Sequence, residues 1–206
     1  MSRPDSEAWA VILAAGAGRR FGGQKLLGSL RGRPLASYVA AVVGAAIREG
    51  KLGGGIAVVP PANAALEQVF TDERIRPIQN PEASRGLSSS LRVGIAAFEE
   101  SASVGAVMLF LADQPLVRSD AIEALIEAWR RTGRSARPRY RDAPSEPGHP
   151  VLLSRDLWLM VDQLSGDEGL NQVLRRRPEA IGLIEVRGAN PGIDTLEDLA
   201  RLNSLP

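Results

Sequence analysis

The sequence predicts an α/β fold, a single-domain three-layer α/β/α sandwich around a mostly parallel, Rossmann-like sheet. Two observations lead to this prediction. Short, continuous apolar runs of strand length recur along the chain, and amphipathic segments with helical periodicity lie between them. Alternating strands and helices form right-handed β-α-β units, in which successive strands lie parallel. A chain of 206 residues suits one domain, which we expect over residues 1–206 with its core at about 9–203.

The first three predicted strands are the apolar runs 8–15, 56–59 and 106–112. Such unbroken runs are typical of strands that helices cover on both faces. The helical patterns around them cover residues 34–49, 62–70, 88–100 and 119–131. Strands at 150–153 and 181–186 and helices at 154–164, 168–176 and 195–202 complete the prediction. Sheets of this kind bind ligands at the carboxyl ends of their strands, where we expect the active site.

The segment 133–147 is rich in arginine and proline, and we interpret it as a mobile surface loop; the alternative is a dedicated binding element.

Composition limits the classes of function. The net charge of +1 gives no reason to expect nucleic acid as a partner. The chain has no cysteine, which excludes disulfides, thiolate metal sites and a cysteine nucleophile. Its apolar runs are too short to cross a membrane, and residues 1–7 lack the apolar core of a signal peptide. We therefore expect no membrane partner and a cytoplasmic location.

The loop after the first strand has the composition of a phosphate-binding loop. Four glycines in eight positions let the backbone approach a ligand, and the exposed N–H groups of such a turn form an anion nest. Arg19, Arg20 and Lys25 add positive charge, so the loop suits a triphosphate. Phe21 replaces the third glycine of a dinucleotide fingerprint, and Gln24 replaces the lysine of a P-loop. The alternative interpretation is a glycine-rich turn with exposed basic residues.

Five groups of residues, taken in order, carry a resemblance to a known family. They are Leu13-Ala14-Ala15-Gly16-x-Gly18-x-Arg20-x-Gly22-x-x-Lys25, then Asn80-Pro81 with Gly86-Leu87-Ser88-Ser89-Ser90-Leu91, then Leu111-Ala112-Asp113-Gln114-Pro115, then Gly148-His149-Pro150-Val151 with Gly166-Asp167-x-Gly169, and Ile193-Asp194-Thr195-x-Glu197-Asp198-Leu199. Together they resemble the nucleotidyltransferases, and are most similar to the MobA-like molybdenum cofactor cytidylyltransferases and guanylyltransferases. The likeness covers roughly residues 9 to 200. It implies the nucleotide-diphospho-sugar transferase type of fold.

The resemblance also implies a reaction and its participants. An acceptor phosphate attacks the α-phosphorus of a nucleoside triphosphate and releases pyrophosphate; Mg²⁺ is the implied cofactor and molybdopterin the implied acceptor. A molybdoenzyme or chaperone is a possible recipient of the product. Arg20 and Lys25 are expected to hold the β- and γ-phosphates. Asp113, at the end of the apolar run 106–112, is expected to bind the metal.

The same resemblance assigns the remaining site residues. The expected nucleotide contacts come from the first loop and from the segment before the helix at 88–100, namely Leu13, Ala14, Ala15, Gly16, Gly18, Asn80, Gly86, Ser88 and Ser89. His149 and Asp167 are expected to bind the acceptor. Three of these assignments have a structural alternative: Asp113 could be a turn aspartate, one of the serines 88–90 could cap a helix, and His149 could be structural.

The second metal ligand is open at the level of sequence. Relatives often carry an aspartate at the position of Gly192. Asp194 or Asn190 could replace it, or Asp113 could suffice alone. Asp194 could instead cap the last helix in a capping box with Glu197. We take Asp194 as the expected second ligand.

The choice of nucleotide depends on one residue. In the family, Leu-Ala-Ala-Gly accompanies cytidylyl transfer and Leu-Ala-Gly-Gly accompanies guanylyl transfer, so Ala15 favours CTP. Transfer to a sugar phosphate is a rival function, and so is NAD(P)H-dependent oxidoreduction, an activity assigned to some relatives. The missing third glycine argues against the oxidoreductase. Arg20, Lys25 and Asp113 argue against a third rival, a nucleotide-binding regulator without turnover.

Overall fold

The computed structural model describes residues 6–16, 24–145 and 148–204. The strands are β1 (Glu7–Leu13), β2 (Ser29–Leu30), β3 (Arg33–Pro34), β4 (Gly55–Val59), β5 (Arg76–Gln79), β6 (Val104–Leu111), β7 (Ser135–Tyr140), β8 (Val151–Ser154) and β9 (Ile181–Val186). The α-helices are α1 (Leu35–Arg48), α2 (Ala64–Thr71), α3 (Leu87–Ala96), α4 (Ser119–Thr132), α5 (Leu170–Arg176) and α6 (Leu196–Ser204). Short 3₁₀ helices cover Lys25–Leu27, Ala83–Arg85, Arg155–Gln163 and Pro178–Ala180. Across these ranges, no helix combines the length and apolarity needed to span a bilayer.

One seven-stranded sheet organises the fold, in the order β5-β4-β1-β6-β8-β7-β9, and β2 pairs with β3 in a separate hairpin. In the described sheet β8 alone runs antiparallel to the others. The predicted mostly parallel α/β architecture is therefore confirmed. Because β8 is reversed, its beginning lies at the same edge as the ends of its neighbours. Residues just before β8 thus join those that follow β1, β6 and β9.

The hydrophobic core lies on both faces of the sheet. Along β1, Ala10 and Ile12 pack towards α1, α2 and α4, whereas Val11 and Leu13 pack towards α3 and the 3₁₀ helix Arg155–Gln163. All five residues of β4 are buried. A strand buried on both faces has apolar side chains at successive positions, which explains the unbroken apolar runs in the sequence.

The segment 133–147, interpreted as a mobile surface loop, contains a strand of the sheet, so that prediction is wrong over Ser135–Tyr140. Six residue pairs join β7 to β9, and five of the six β7 residues are buried. Arg137 and Pro138 interrupt the apolar pattern that identifies a strand. Pro138 lacks an N–H, but its carbonyl accepts a hydrogen bond from the N–H of Gly148 at 3.0 Å. The arginine and proline content of this segment therefore predicted a loop where the protein has an interior strand, β7.

Two further elements differ from the prediction. Strand β5 lies at the edge of the sheet and was not predicted, because its four residues are only half-buried or exposed and show no apolar run. The predicted helix over 154–164 is a 3₁₀ helix, Arg155–Gln163. The strand predicted at 181–186 is confirmed with the same bounds as β9.

Candidate functional site

A cavity of about 520 Å³ opens at the carboxyl edge of the sheet, beside the ends of β1 and β6; we call it the edge cavity. The loop after β1, the start of α3 with the 3₁₀ turn before it, and a loop from the C-terminal half form its walls. Its lining residues are Leu13, Ala14, Ala15, Gly16, Lys25, Leu26, Ala83, Ser84, Arg85, Gly86, Leu87, Ser90, Leu111, Asp113, Gly166 and Asp167. This is the edge at which parallel α/β sheets bind ligands.

Lys25 joins two carboxylates at the edge cavity. Its Nζ donates to Oδ2 of Asp113 at 2.8 Å and to Oδ1 of Asp194 at 2.9 Å. Burial alone would lower the pKa of Lys25, but the hydrogen bonds and charges of Asp113 and Asp194 outweigh burial and raise that pKa. Lys25 is therefore a fixed ammonium ion, and the two carboxylates already hold one cation between them.

Main-chain and amide contacts bring Asp194 to Asp113. The N–H of Ile193 donates to the carbonyl of Asp113 at 3.0 Å. The Asn190 side chain accepts from the N–H of Leu116 at 3.0 Å and donates to the carbonyl of His149 at 3.3 Å. Of the two alternatives for a second metal ligand, Asn190 is engaged in these loop contacts, and Asp194 is the residue that shares a partner with Asp113.

The alternative capping box of Asp194 with Glu197 does not form. The N–H of Asp198 donates to Oγ1 of Thr195 at 3.1 Å, and the N–H of Thr195 donates to Oδ2 of Asp198 at 2.9 Å. The box is thus shifted by one residue along the chain. Because Thr195 supplies the capping oxygen, the carboxylate of Asp194 can reach Lys25.

Asn80 and Ser89 lie behind the cavity wall and hold it in place. Nδ2 of Asn80 donates to Oγ of Ser89 at 2.9 Å and of Ser90 at 3.0 Å, and its Oδ1 accepts from the N–H of Glu82 at 3.0 Å. Ser89 in turn donates to the carbonyl of Gly86 at 2.8 Å. Both Asn80 and Ser89 are buried, and Ser90 is the member of this group that lines the cavity.

Ser88 is fully buried, and its hydroxyl has no hydrogen-bond partner among the described residues. Its N–H donates to the carbonyl of Gly166 at 3.0 Å. The N-cap of α3 is Gly86, with no side-chain capping bond in the described structure. The alternative that one of the serines 88–90 caps this helix is therefore wrong.

Gly86 is the point where two of the predicted motifs meet. Its φ is +100°, a value that side chains rarely tolerate. A Cβ on Gly86 would lie 2.4 Å from the backbone of Gly166 and 2.8 Å from Oδ1 of Asp167. The segment that precedes α3 and the loop that carries Asp167 are therefore in direct backbone contact.

Two further cavities lie near this edge of the sheet; the first shares Leu13, Leu87, Leu111 and Asp167 with the edge cavity, whereas the second shares none of its described lining residues with it. The leucine slot, about 350 Å³, is lined by Leu13, Leu87, Leu91, Leu109, Leu111, His149, Asp167, Glu168, Gly169, Leu170, Asn171, Gln172 and Arg175. The arginine chamber, about 370 Å³, is lined by Gln114, Arg137, Tyr140, Ala143, Ser145, Gly148, His149, Asn171, Asn190, Pro191 and Gly192. His149 and Asn171 belong to both. Of the residues expected to bind the acceptor, Asp167 lines both the edge cavity and the leucine slot, and His149 lines the leucine slot and the arginine chamber.

His149 is neutral at physiological pH. Part of its surface is accessible, but protein surrounds most of the ring. Burial first, and then the positive charge of Arg137, lowers the pKa of His149 to about 4. The neighbouring Tyr140 donates its hydroxyl to the carbonyl of His149 at 2.7 Å, and burial raises the pKa of Tyr140 to about 12. A neutral imidazole can donate with one nitrogen and accept with the other.

The sequence matches the MobA-like NTP transferase domain over residues 10–181, most of the chain. The chain belongs to the MobA-like NTP transferase domain family. This confirms the family prediction made from the ordered motifs.

Two relatives of this MobA-like chain have different activities in their names. It is 31% identical to nicotine blue oxidoreductase from Paenarthrobacter nicotinovorans, an alignment that covers 93% of this chain and 94% of the relative. It is 25% identical to a probable molybdenum cofactor guanylyltransferase from Thermococcus gammatolerans, over 94% of this chain and 97% of the relative. Guanylyl transfer and oxidoreduction are both among the alternatives that the sequence leaves open.

Solved structures share the fold over nearly its whole length. The crystal structure of Rv0371c from Mycobacterium tuberculosis H37Rv has a TM-score of 0.80 and 25% sequence identity, and the match covers 97% of this chain and 98% of that one. A complex of Rv0371c with manganese has a TM-score of 0.75 at 24% identity, over 97% of this chain and 100% of that one.

Some of the remaining predicted site residues line the edge cavity, and others lie outside the described residues. Leu13, Ala14, Ala15 and Gly16 all line the edge cavity. Gly18 and Arg20 lie outside the described residues, so their predicted roles stay predictions. In the described ranges, no group of three or more histidine, aspartate and glutamate side chains is arranged to hold a metal.

Sequence reasoning missed two arginines of the MobA-like site. Arg85 lines the edge cavity from the turn Ala83–Arg85, inside a stretch that separates two recognised motifs. Arg137 lines the arginine chamber from β7, inside the segment interpreted as a loop. Ala136, Pro138 and Tyr140 occupy alternate positions, with Arg137 and Arg139 between them, and this alternation was the available signal for a strand. Three arginines and a proline within 134–139 concealed it.

Proposed function

We propose that this MobA-like chain is a nucleotidyltransferase that moves a nucleotidyl group, CMP in preference to GMP, from the triphosphate to the phosphate of a molybdopterin-type acceptor. Mg²⁺ would be the cofactor and pyrophosphate the second product. One observation carries the proposal: Asp113 and Asp194 hold the ammonium of Lys25 at 2.8 Å and 2.9 Å beside the edge cavity.

The residues present fit a magnesium ion. Mg²⁺ in phosphate-handling sites is bound by one or two carboxylates, and substrate phosphates and waters complete its shell. A pair of carboxylates that already holds a positive charge between its oxygens meets the first requirement. The cavity next to it, about 520 Å³, offers room for the phosphates that would meet the second. When bound, the ion would neutralise phosphate charge and make the α-phosphorus more electrophilic.

The chain's own residues position the reactants in this mechanism. An oxygen of the acceptor phosphate forms a bond to the α-phosphorus, and the bond from that phosphorus to the bridging oxygen of the β-phosphate breaks. Lys25 would move from the carboxylates to the β- and γ-phosphates and stabilise the departing pyrophosphate. Arg20 would assist from the first loop. Asp113 and Asp194 would hold the cation, and the cavity wall would orient the nucleoside.

Preference for CTP is supported by Ala15. Ala15 is 4% exposed and lines the edge cavity directly after Ala14. Its methyl group brings the wall closer than glycine would, which suits a pyrimidine better than the larger guanine. The relative from Thermococcus gammatolerans is named a guanylyltransferase, so the base has to be measured. We expect a higher kcat/KM for CTP than for GTP, and a shift of this ratio towards GTP in Ala15→Gly. Preference of the unchanged chain for GTP would overturn the assignment of the base.

Pyrophosphate release tests the main proposal. The protein is incubated with each nucleoside triphosphate, Mg²⁺ and molybdopterin, and pyrophosphate and the nucleotidyl product are followed. Asp113→Asn and Asp194→Asn should each keep the fold and lower kcat, because each should raise the activation free energy by roughly 3–4 kcal/mol, the size expected for the loss of one electrostatic stabiliser. Glu197→Gln is the matched control, because that carboxylate is exposed and bonds to neither residue. Full turnover in both aspartate variants would remove the carboxylate pair from the mechanism.

An oxidoreductase is the second candidate, and one observation favours it: 31% identity to nicotine blue oxidoreductase over 93% of this chain. The same edge cavity would then hold a nicotinamide nucleotide. Loss of NAD(P)H absorbance with an oxidised aromatic dye as acceptor, in the absence of any triphosphate, measures this activity directly. Hydride transfer without pyrophosphate release would replace the nucleotidyltransferase proposal.

A further inference from the structure

Arg137 lies in the interior of the protein, on the sheet face that packs against α5. It is 7% exposed, although it belongs to the residue type that is almost always on the surface. Its Nη1 donates to Oδ1 of Asn171 at 2.9 Å, and its Nη2 lies 3.4 Å from the carbonyl of Gly148. These contacts fix the plane of the guanidinium at the wall of the arginine chamber.

The arginine chamber is rich in hydrogen-bond donors. Besides Arg137, its described wall carries the amides of Gln114, Asn171 and Asn190 and the imidazole of His149. The charge of Arg137 helps to lower the pKa of His149, so the guanidinium acts on the ring that lines the same chamber. A guanidinium beside neutral donors matches the oxygen atoms of a phosphate group, which an arginine fork binds through parallel hydrogen bonds.

The chamber also adjoins the carboxylate pair. Gln114 in its wall directly follows Asp113, and Gly192 in its wall lies two residues before Asp194. Asp113 itself lines the edge cavity, where the proposed triphosphate would bind. Lys25 supplies positive charge on the triphosphate side. Two phosphate groups that must approach each other repel strongly in a cavity, so the reaction also needs a cation on the acceptor side.

We propose that Arg137 determines acceptor specificity by binding the acceptor's phosphate in the arginine chamber. Asn171 is the positioning residue that orients the guanidinium, and His149 offers one further hydrogen bond. The acceptor class is therefore a phosphate monoester whose body continues from the chamber into the leucine slot, since the two cavities share His149 and Asn171. This inference rests on the proposed nucleotidyl transfer for its place in the reaction, but the binding of phosphate is independent of turnover.

The first experiment measures binding without nucleotide or metal. His149 is the single histidine of the chain, so its ring gives one unambiguous NMR signal from the chamber wall. Inorganic phosphate should shift this signal to saturation in the unchanged protein and in the control Arg139→Met, which alters an exposed arginine on the same strand. Arg137→Met should weaken phosphate binding by about 10-fold or more, the loss expected for a charge-assisted hydrogen bond. An equal response in Arg137→Met, or an acetate response as strong as that to phosphate, would overturn the proposal.

A second variant protects the test against misfolding. Arg137→Lys keeps the charge but loses the planar fork, so we expect phosphate to bind several-fold more weakly and acetate to remain weak. Unchanged phosphate affinity in Arg137→Lys would show that the fork is not the recognition element and would overturn the proposal.

Turnover separates the two proposals. With CTP and molybdopterin, Arg137→Lys should raise the KM of the acceptor by about 10-fold while the KM of CTP stays within about 2-fold, because the contact is made on the acceptor side. A rise in the KM of CTP alone would overturn the assignment of Arg137. Failure of nucleotidyl transfer with every acceptor, while the Arg137-dependent phosphate response persists, would instead overturn the proposed function and leave the phosphate site standing.

Discussion

The edge cavity, which is the proposed nucleotide side, and the arginine chamber, which is the proposed acceptor side, are built by different means. The edge cavity is walled largely by the backbone and small side chains of loops that follow parallel strands, such as Ala14, Gly16 and Gly86. The arginine chamber has more large polar side chains in its wall; Arg137 comes from the middle of a strand and Asn171 from a helix, whereas Gln114, His149 and Asn190 come from loops. Backbone walls accept any ligand of the right shape, whereas fixed polar side chains select for particular groups. The comparison indicates that acceptor choice can change while the nucleotide side stays constant.

The backbone contact between Gly86 and the loop at Gly166, both in the wall of the edge cavity, should be the most sensitive point. Gly86→Ala places a Cβ 2.4 Å from the backbone of Gly166 at a φ of +100°. We expect a loss of about 3 kcal/mol or more of unfolding free energy, since both the backbone conformation and the contact are disfavoured. Gly16→Ala is the matched variant, because its Cβ would have no described atom within 4 Å and would point into open space in the cavity region. It should keep stability and weaken CTP binding.

Urea unfolding and calorimetric titration with CTP measure the two effects. If Gly86→Ala unfolds at the same urea concentration as the unchanged protein, this backbone contact does not hold the wall of the edge cavity in place. If Gly16→Ala binds CTP normally, the first loop does not form the wall that contacts the nucleotide.

A comparison of two lysines with similar partners shows whether the charge of Lys25 serves ligand binding or only the fold. Lys25 and Lys51 each bridge two carboxylates, but Lys51 does so on the surface with Glu49 and Glu123. Lys25→Ala should weaken CTP binding by about 2 kcal/mol and cytidine binding much less, because a charged contact to phosphate is lost. Lys51→Ala should change neither. Equal losses for CTP and cytidine in Lys25→Ala would show that Lys25 only supports the fold.

Neighbouring serines in α3 test whether the wall is held from behind. Ser89→Ala removes the hydroxyl that accepts from Asn80 and donates to Gly86, so we expect a loss of about 1–2 kcal/mol in unfolding free energy. Ser88→Ala removes a buried hydroxyl that has no partner among the described residues, so stability should be unchanged or higher. Thermal and urea unfolding of both variants give the comparison. The reverse order of stabilities would show that Asn80 and Ser89 do not hold the cavity wall in place.

His149, on the proposed acceptor side, should make the unfolding free energy of the protein depend on pH. Its pKa is about 4 in the folded protein and 6.5 in an exposed histidine. Between these values the unfolded chain takes up a proton that the folded protein does not, so the contribution of His149 to stability is complete above pH 6.5 and falls as the pH decreases towards 4. His149→Gln should therefore lose less unfolding free energy between pH 7 and pH 4.5 than the unchanged protein. Identical pH dependence would place the ring in a solvent-like environment.

The same division explains what the sequence could predict. Parallel strands that are buried on both faces require unbroken apolar runs, so β1, β4 and β6 were evident, and Asp113 followed from its place at the end of β6. The glycine loop was evident because glycine has few other uses at such density. These features are local in sequence and belong to the nucleotide side.

The acceptor side depends on contacts that are distant in sequence. Nothing near Arg137 indicates that β8 and β9 enclose its strand, and a local pattern of arginine and proline predicts a loop. Asp194 was expected as a ligand on resemblance, but the shift of the capping box to Thr195 and Asp198 is a matter of backbone geometry. A hydrogen bond from Ile193 to Asp113, not a motif, brings the two aspartates together.

The charge triad of Lys25, Asp113 and Asp194 also has a consequence for the order of events during synthesis. Lys25 is 88 residues from Asp113 and 169 residues from Asp194 along the chain. A ribosome releases residues in order, so a nascent chain can pair Lys25 with Asp113 long before Asp194 has emerged. Contacts between such distant residues form late in folding, because a long stretch of chain must be ordered first. The complete triad, and with it the proposed metal site, is therefore among the last features that this chain acquires, and a nascent fragment without Asp194 lacks it.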